Sequence, residues 1–256
     1  MTTLWARREF AWYMAMGNLR SRNASTTLGL MWWVLNPLMM GGVYYLVFGV
    51  ILGVSRDLSY LISGIFVFYY TSTSITSGAN SIIQNRALLV NLQFPRLILP
   101  ITAIIEAGAG FITSIPALYL IIGPTRRIWP PMRFLVLFPV MFVIQSVFNL
   151  GLAALTARVT VPFRDATNVI PHLLRIWLYL SPILYSVEQF DSLPDFASTL
   201  FHLNPMVPIL SVYRSALLGY HFYPMDLVSS AAWAFGLAAV ALTSFIKYEG
   251  KMARYL

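Results

Sequence analysis

The chain has 256 residues, of which 58% are hydrophobic and only 10% charged, with a mean hydropathy of +0.71. Soluble domains carry roughly 25% charged residues, so this composition excludes an ordinary soluble enzyme or binding module and points to an integral membrane protein. There is no cysteine, which removes disulfides, thiolate metal sites and a cysteine nucleophile. The formal charge of +8, spread between apolar runs, reads as topology signal and contact with anionic lipid headgroups rather than nucleic-acid binding.

In chain order, residues 1–27 are expected to form an interfacial helix. Arg7, Arg8 and Glu9 are followed by only ten uncharged residues before Arg20 and Arg22, too few for a cleavable signal. Trp5, Trp12, Met16 and Leu19 share an arc at 100° per residue, although Phe10 and Met14 fall elsewhere. Charge-free runs then predict spans at residues 23–55, 58–85, about 97–125, 134–157, 169–187 (interrupted by Arg175) and 227–246. The fold class is all-α: one transmembrane domain with six spans. Spans one to five lie within 28–186, an external excursion covers 187–225, the sixth span covers 226–246, and 247–256 is a tail.

With a cytoplasmic N-terminus, the inside receives 11 Lys and Arg: Arg7, Arg8, Arg20, Arg22, Arg86, Arg96, Arg158, Arg164, Lys247, Lys251 and Arg254. The outside receives 5, namely Arg56, Arg126, Arg127, Arg133 and Arg214, so both termini are expected inside. Arg126, Arg127 and Arg133 run against the count. In the excursion, Ser192 and Asp195 make a capping-box pattern, and Asn204–Pro205 with Gly219 bracket a second helix. From Pro205 to Leu218 that helix would be roughly 21 Å long, too short to span, so it lies on or dips into the outer leaflet.

The first span contains Asn36, Pro37 and the pair Tyr44–Tyr45, groups that lipid penalises. Counting from Trp32, Tyr44 lies roughly 18 Å along the helix, and Tyr69, entering from the other side, roughly 14 Å down; all four of Tyr44, Tyr45, Tyr69 and Tyr70 share one depth band. Next to Tyr70 is TSTSITS, residues 71–77, with Ser72 and Thr73 among its hydroxyls. Two readings stand: helix packing through small and hydroxylated residues, or a polar, aromatic path across the membrane. Asn36–Pro37 reads as a kink near the cytoplasmic entrance.

Catalytic patterns are missing. No G-x-x-x-x-G-K-[ST] loop occurs, and the two lysines both fall in the last ten residues, so no cofactor is expected in this chain and any ATP belongs to a partner. His172, His202 and His221 lack metal-ligand spacing, and DSLPD reads as a helix cap rather than a Mg²⁺ site. Glu106 and Arg175 enter from the same side to roughly 13 Å and 12 Å, which suggests an intramembrane ion pair; a protonated Glu106 with Arg175 snorkelling to the headgroups is the alternative. Arg214 is read either as a ligand for a diphosphate or as a partner of Asp191, Asp195 or Asp226.

Four segments, LGLMWWVLNPLMMGGVYYLVFGVIL, LVNLQFPRLILP, VPFRDATNVIPHLLRIWLYLSPILY and LNPMVPILSVYRSALLG, resemble in the same order the permease subunits of polysaccharide-exporting ABC transporters. Those are the O-antigen, capsule and teichoic-acid exporters and the mycobacterial galactan exporter. The resemblance implies a homodimer bound to two copies of a separate ATPase that holds ATP and Mg²⁺, moving a polyprenyl-diphosphate-linked glycan out across the plasma membrane among its lipids. It implies ATPase contact by the loops carrying Arg86, Phe94, Pro95, Arg96, Arg164 and Asp165. It also implies an external gate built from Ser181, Pro182, Tyr185, Asn204, Pro205 and Arg214. The external Arg126–Arg127 pair and Glu106 depart from the family pattern. Alternatives are an ABC permease for a lipid or drug, and a membrane-embedded glycosyl or prenyl transferase.

Overall fold

A computed structural model describes residues 8–24, 27–51, 53, 57–91, 94–126, 130–185 and 195–252. The described elements are helical: α1 (Arg8–Ala24), a 3-10 turn (Gly29–Met31), α2 (Trp32–Tyr44) running into a π segment (Tyr45–Ile51), α3 (Leu58–Gln84), α4 (Arg86–Asn91), α5 (Ile98–Arg126), α6 (Phe134–Thr160), α7 (Ala166–Tyr179), α8 (Asp195–His202), α9 (Met206–Leu218) and α10 (Pro224–Met252). Among them four are long and apolar enough to cross a membrane: α3, the Ile98–Leu120 part of α5, α6, and the Pro224–Gly250 part of α10.

The first predicted span is a composite, because α2 carries Pro37 inside it and passes into the π segment. The fifth differs more. Instead of running from 169 to 187, α7 has 14 residues and stops at Tyr179, about 21 Å of helix against a hydrocarbon core of about 30 Å. Pro182 is the local reason, since it donates no N–H and disfavours helix in the residue before it. The predicted outer helix is present as α9, closed by Gly219 at φ 77. Ser192 lies outside the described residues.

The frame is α6 packed against α3, α5 and α10, with α3 also against α5 and with α9 inserted against α3, α6 and α10. The α3–α6 seam is polar. Gln145 Nε2 donates to Val67 O (3.0 Å) and Thr71 Oγ1 (2.9 Å), Asn149 Nδ2 donates to Ser74 Oγ (3.2 Å), and Thr160 Oγ1 donates to Ala79 O (2.6 Å). Such cross-helix bonds hold helices together in lipid, where apolar contact alone gives little preference for one neighbour over another. Gly78 lets the backbones meet: a Cβ there would stand 2.4 Å from Ala153 Cβ and 2.9 Å from its Cα. Gly78→Val should therefore cost about 1–3 kcal/mol by overpacking, whereas Gly236→Val, with no neighbour within 4 Å of a Cβ, should be neutral. Thermal unfolding of the two purified variants checks this; equal midpoints would mean the seam is not close-packed at Gly78.

Toward one end, Tyr70, Phe111, Phe138, Phe142 and Tyr213 build a column of stacked and edge-on rings with centroids 5.0–6.5 Å apart. At the other, Ile82, Leu97, Leu99, Ala157, Val161 and Phe245 form a second core that Met14, Leu89 and Phe94 cover. Helix α1 packs on α5 through Ala11 and Ala15, both buried. Trp12, on the arc expected to face the membrane, is 54% exposed, and the small alanines permit the close approach to α5.

Candidate functional site

Helix α3 repeats polar residues so densely that, at 100° per residue, they face three ways. Thr71 and Ser74 are buried in the α6 seam. Tyr69, Tyr70, Thr73 and Ser77 face a chamber of about 350 Å³, and Tyr69, Ser72 and Thr76 face a groove of about 200 Å³. The hydroxyl run therefore divides between residues packed on α6 and residues that line cavities.

The chamber lies between α2, α3 and α5. Its walls are aromatic (Trp32, Trp33, Phe66, Tyr69, Tyr70, Phe111), and Trp33 lies against Gly110, where a Cβ would come within 2.3 Å of its ring. Past Ser77 and Glu106, which belong to both spaces, it adjoins a polar vestibule of about 390 Å³ lined by Asn18, Ser21, Thr76, Asn80, Gln84, Asn85 and Thr102. Several of these donate back into their own helix: Thr73 to Tyr69 O (2.8 Å), Thr76 to Ser72 O (2.9 Å), Asn80 to Thr76 O (2.9 Å). A hydroxyl used as donor keeps two acceptor lone pairs, and an amide keeps its carbonyl and a second N–H. Amides and hydroxyls leading to aromatic faces suit a hydroxylated ring, which offers edge hydrogen bonds and an apolar face.

Asn36 Nδ2 donates to Tyr69 Oη (3.1 Å), and Pro37 is buried against the chamber. Asn36 and Pro37 of the first span thus face α3 and the chamber. Of the four tyrosines, Tyr69 alone touches both cavities. The Tyr70 ring stacks on Phe111 and Phe142 and its hydroxyl pairs with Ser146 (2.7 Å), so it anchors packing as well as lining the chamber. Tyr44 meets Tyr179 edge-on, hydroxyls 3.4 Å apart, and Tyr45 is 42% exposed; neither lines a described cavity.

Glu106 and Arg175 do not pair. Asn18 Nδ2 donates to Glu106 Oε1 (2.7 Å) at the chamber's mouth, whereas Arg175 is exposed beside the groove on another face of α3. Equal depth brought them level, and the rotational setting of α5 and α7 around α3 keeps them apart.

Of the six residues expected at an external gate, Ser181, Pro182, Tyr185, Asn204 and Arg214 come together in a hydrogen-bonded knot over the end of α7, while Pro205 caps the start of α9. Asn204 is its hub: it accepts from Trp177 Nε1 (2.9 Å) and Met206 N (3.0 Å) and donates to Leu180 O (2.9 Å) and Ser181 Oγ (3.3 Å). Arg214, only 5% exposed, donates from Nη2 to Pro182 O (2.7 Å) and Tyr60 O (3.3 Å), with its guanidinium 3.3 Å from the Tyr60 ring centroid. The Tyr60 hydroxyl donates to Pro182 O (3.3 Å) and Tyr185 O (3.2 Å), and Tyr185 donates to Tyr179 O. Carbonyls freed where α7 breaks are thereby satisfied, as membrane depth demands. Arg214 is not paired with Asp226, which instead takes the Ser211 hydroxyl; Asp191 lies outside the described residues. Tyr60 and Trp177 were not singled out by sequence, although an aromatic residue two before Ile62 in a buried helix face offers little to distinguish it from core.

At the opposite end, Phe94 meets Phe10 (5.5 Å between centroids) and Arg96 N donates to Glu249 Oε1 (2.7 Å), with the guanidinium on Glu249 O. Pro95 O accepts from Ile98 N to start α5. Arg86, Arg164 and Asp165 are exposed there, Asp165 O accepting from Asn168 N as α7 begins. Arg96 is thus turned inward on the C-terminal helix, and the other three charges face out.

A sequence model of the ABC-2 type transporter family matches residues 10–218, which runs from α1 to the end of α9 and takes in the chamber, the groove and the knot. The chain belongs to the ABC-2 type transporter family. Among curated family relatives, the O-antigen export system permease protein RfbA of Myxococcus xanthus is 32% identical over 199 residues, covering 77% of this chain and 75% of that one. RfbA of Klebsiella pneumoniae is 25% identical over 247 residues, 93% and 92% of the two chains. Within this family frame the protein is a multi-pass membrane protein, and the residues carrying its polar cavities sit mainly on α1, α2, α3, α5 and α7.

Proposed function

We propose that this chain is the transmembrane subunit of an ATP-driven exporter that moves a polyprenyl-diphosphate-linked polysaccharide from the cytoplasmic to the outer side of the plasma membrane. The observation that carries the reading is the amide-rich vestibule opening into an aromatic chamber on α3: a surface for sugar rings inside a protein whose curated relatives are named O-antigen export permeases. With no phosphate-cradling loop of its own, the chain relies on a separate ATPase holding ATP and Mg²⁺. Two permeases and two ATPases make the working assembly. The exposed Arg86, Arg164 and Asp165 present the ATPase contact, and the Phe94–Arg96 loop, locked to Glu249, transmits its motion to α5 and α10. The positive-inside count puts this end and both termini in the cytoplasm. In the six-helix plan, α2 with its π segment and α7 with the knot complete the two spans that the four long helices leave open, and the knot acts as the external gate.

Depletion of the protein in cells tests the reading. Lipid-linked glycan should accumulate on the cytoplasmic face and surface glycan should fall; surface glycan unchanged after depletion would refute it.

A further inference from the structure

The amides and hydroxyls of the vestibule serve neutral sugars without any charge, yet Glu106 stands half-buried at the mouth of the chamber, inside the membrane-crossing part of α5. A carboxylate within a span is costly and marks a site with a specific partner. The Asn18 amide holds it at 2.7 Å, on the boundary that chamber and vestibule share. Gly110 lies one turn further along α5, about 6 Å away, and carries the Trp33 ring against it. A group seated between them meets a carboxylate at one end and an indole at the other. Trp32, Tyr69 and Phe111 supply further rings around the same space. No Lys or Arg is among the described residues that line the chamber or the vestibule.

We propose that the chamber is a binding site for an organic ammonium ion, with Glu106 as its counter-ion and Trp32, Trp33 and Tyr69 as aromatic neighbours. Ring faces carry the negative part of the aromatic quadrupole and attract a cation within about 6 Å of the centroid, most strongly where water is excluded. A space of about 350 Å³ is at the small end of ligand pockets, which run from about 300 to 1,000 Å³, and suits an alkylated ammonium with one attached ring. The same carboxylate turns anions away, and an uncharged ligand of equal shape gains only the apolar contact. Two sources share this chemistry. One is a free hydrophobic amine, which goes beyond the export reading; the other is an amine-bearing sugar of the exported glycan, which rests on it.

The test is saturable binding of radiolabelled benzyltrimethylammonium to the purified full chain in a polyoxyethylene detergent, which has neither an ammonium nor a sugar. Neopentylbenzene is the uncharged isostere. The cation is expected to bind about tenfold more tightly than the isostere. Glu106→Gln should weaken the cation about tenfold and leave the isostere unchanged, while Glu106→Asp, which keeps the charge, should weaken it about threefold. Unchanged cation binding in Glu106→Gln overturns the proposal. So does equal affinity for cation and isostere in the natural chain, a comparison that needs no variant and stands even if Glu106→Gln does not fold. Competition separates the sources: displacement by glucosamine but not by N-acetylglucosamine supports the site with an amine-bearing sugar as occupant, and displacement by neither supports it with a free hydrophobic amine. A chain that exports glycan yet binds no benzyltrimethylammonium refutes the site alone. Binding as expected with surface glycan unchanged on depletion refutes the export reading instead.

Discussion

Replacing Arg214 with alanine is expected to destabilise the half of the bundle that holds the knot by about 3–4 kcal/mol and to abolish export. A hydrogen bond to a charged group contributes about 1.5–3 kcal/mol and a desolvated cation–π contact about 2 or more. Arg214 makes both, on Pro182 O and on the Tyr60 ring, from a position with almost no contact with solvent. Truncation would also leave a void beside Gly64, where a Cβ would now stand 2.9 Å from Nη2. Lysine keeps the charge but is a point donor without a planar face, so Arg214→Lys should retain only part of the stability and of the export rate. Thermal unfolding and surface glycan measured on both variants check this. Wild-type behaviour in Arg214→Lys would mean that the fork and the stacked face contribute nothing, and the knot would then be a passive neighbour of α7.

Ser77→Trp is expected to lower export more than tenfold while leaving the fold intact. Ser77 lines both the polar vestibule and the aromatic chamber, on a face of α3 that flanks the buried α6 seam. An indole there fills the neck between them without entering the Gly78–Ala153 contact. The unfolding midpoint of the purified variant should stay near wild type, which separates a blocked path from a damaged bundle. Normal export with a tryptophan at this position would place the glycan elsewhere.

Hydropathy made the long helices legible, since α3, α5, α6 and α10 each contain a long charge-free run. The shortness of α7 was less visible: its sequence stays apolar through Ile183 and Leu184, and only the Ser181–Pro182 step marks the stop. Asn204–Pro205 and Gly219 announced α9 because caps are local chemistry, read from one or two residues. Partner choice is not local. Glu106 and Arg175 matched in expected depth, yet pairing also depends on which way each helix is turned, and Glu106 takes a hydrogen bond from Asn18 on α1, 88 positions away. The same holds for Arg214, for which sequence offered carboxylates and diphosphate, while the fold supplies two carbonyls and a tyrosine face from α3 and the α7 break. The hydroxyl run of residues 71–77 was ambiguous for a physical reason: a helix with polar residues at nearly every position has them on every face, and only its neighbours decide which are packing.

Thiol access along α3 tests most directly whether that helix carries the polar path, and the natural absence of cysteine makes it clean. Single cysteines at positions 71 to 77 and 80 would be reacted with a small, hydrophilic, membrane-impermeant thiol reagent. Thr73→Cys, Ser77→Cys and Asn80→Cys should react through the chamber and vestibule, and Ser72→Cys and Thr76→Cys through the groove, while Thr71→Cys and Ser74→Cys, buried on α6, should stay inert. Reaction at positions 71 and 74, or none at 73 and 77, would contradict the assignment of water-accessible faces and with it the proposed route for the glycan.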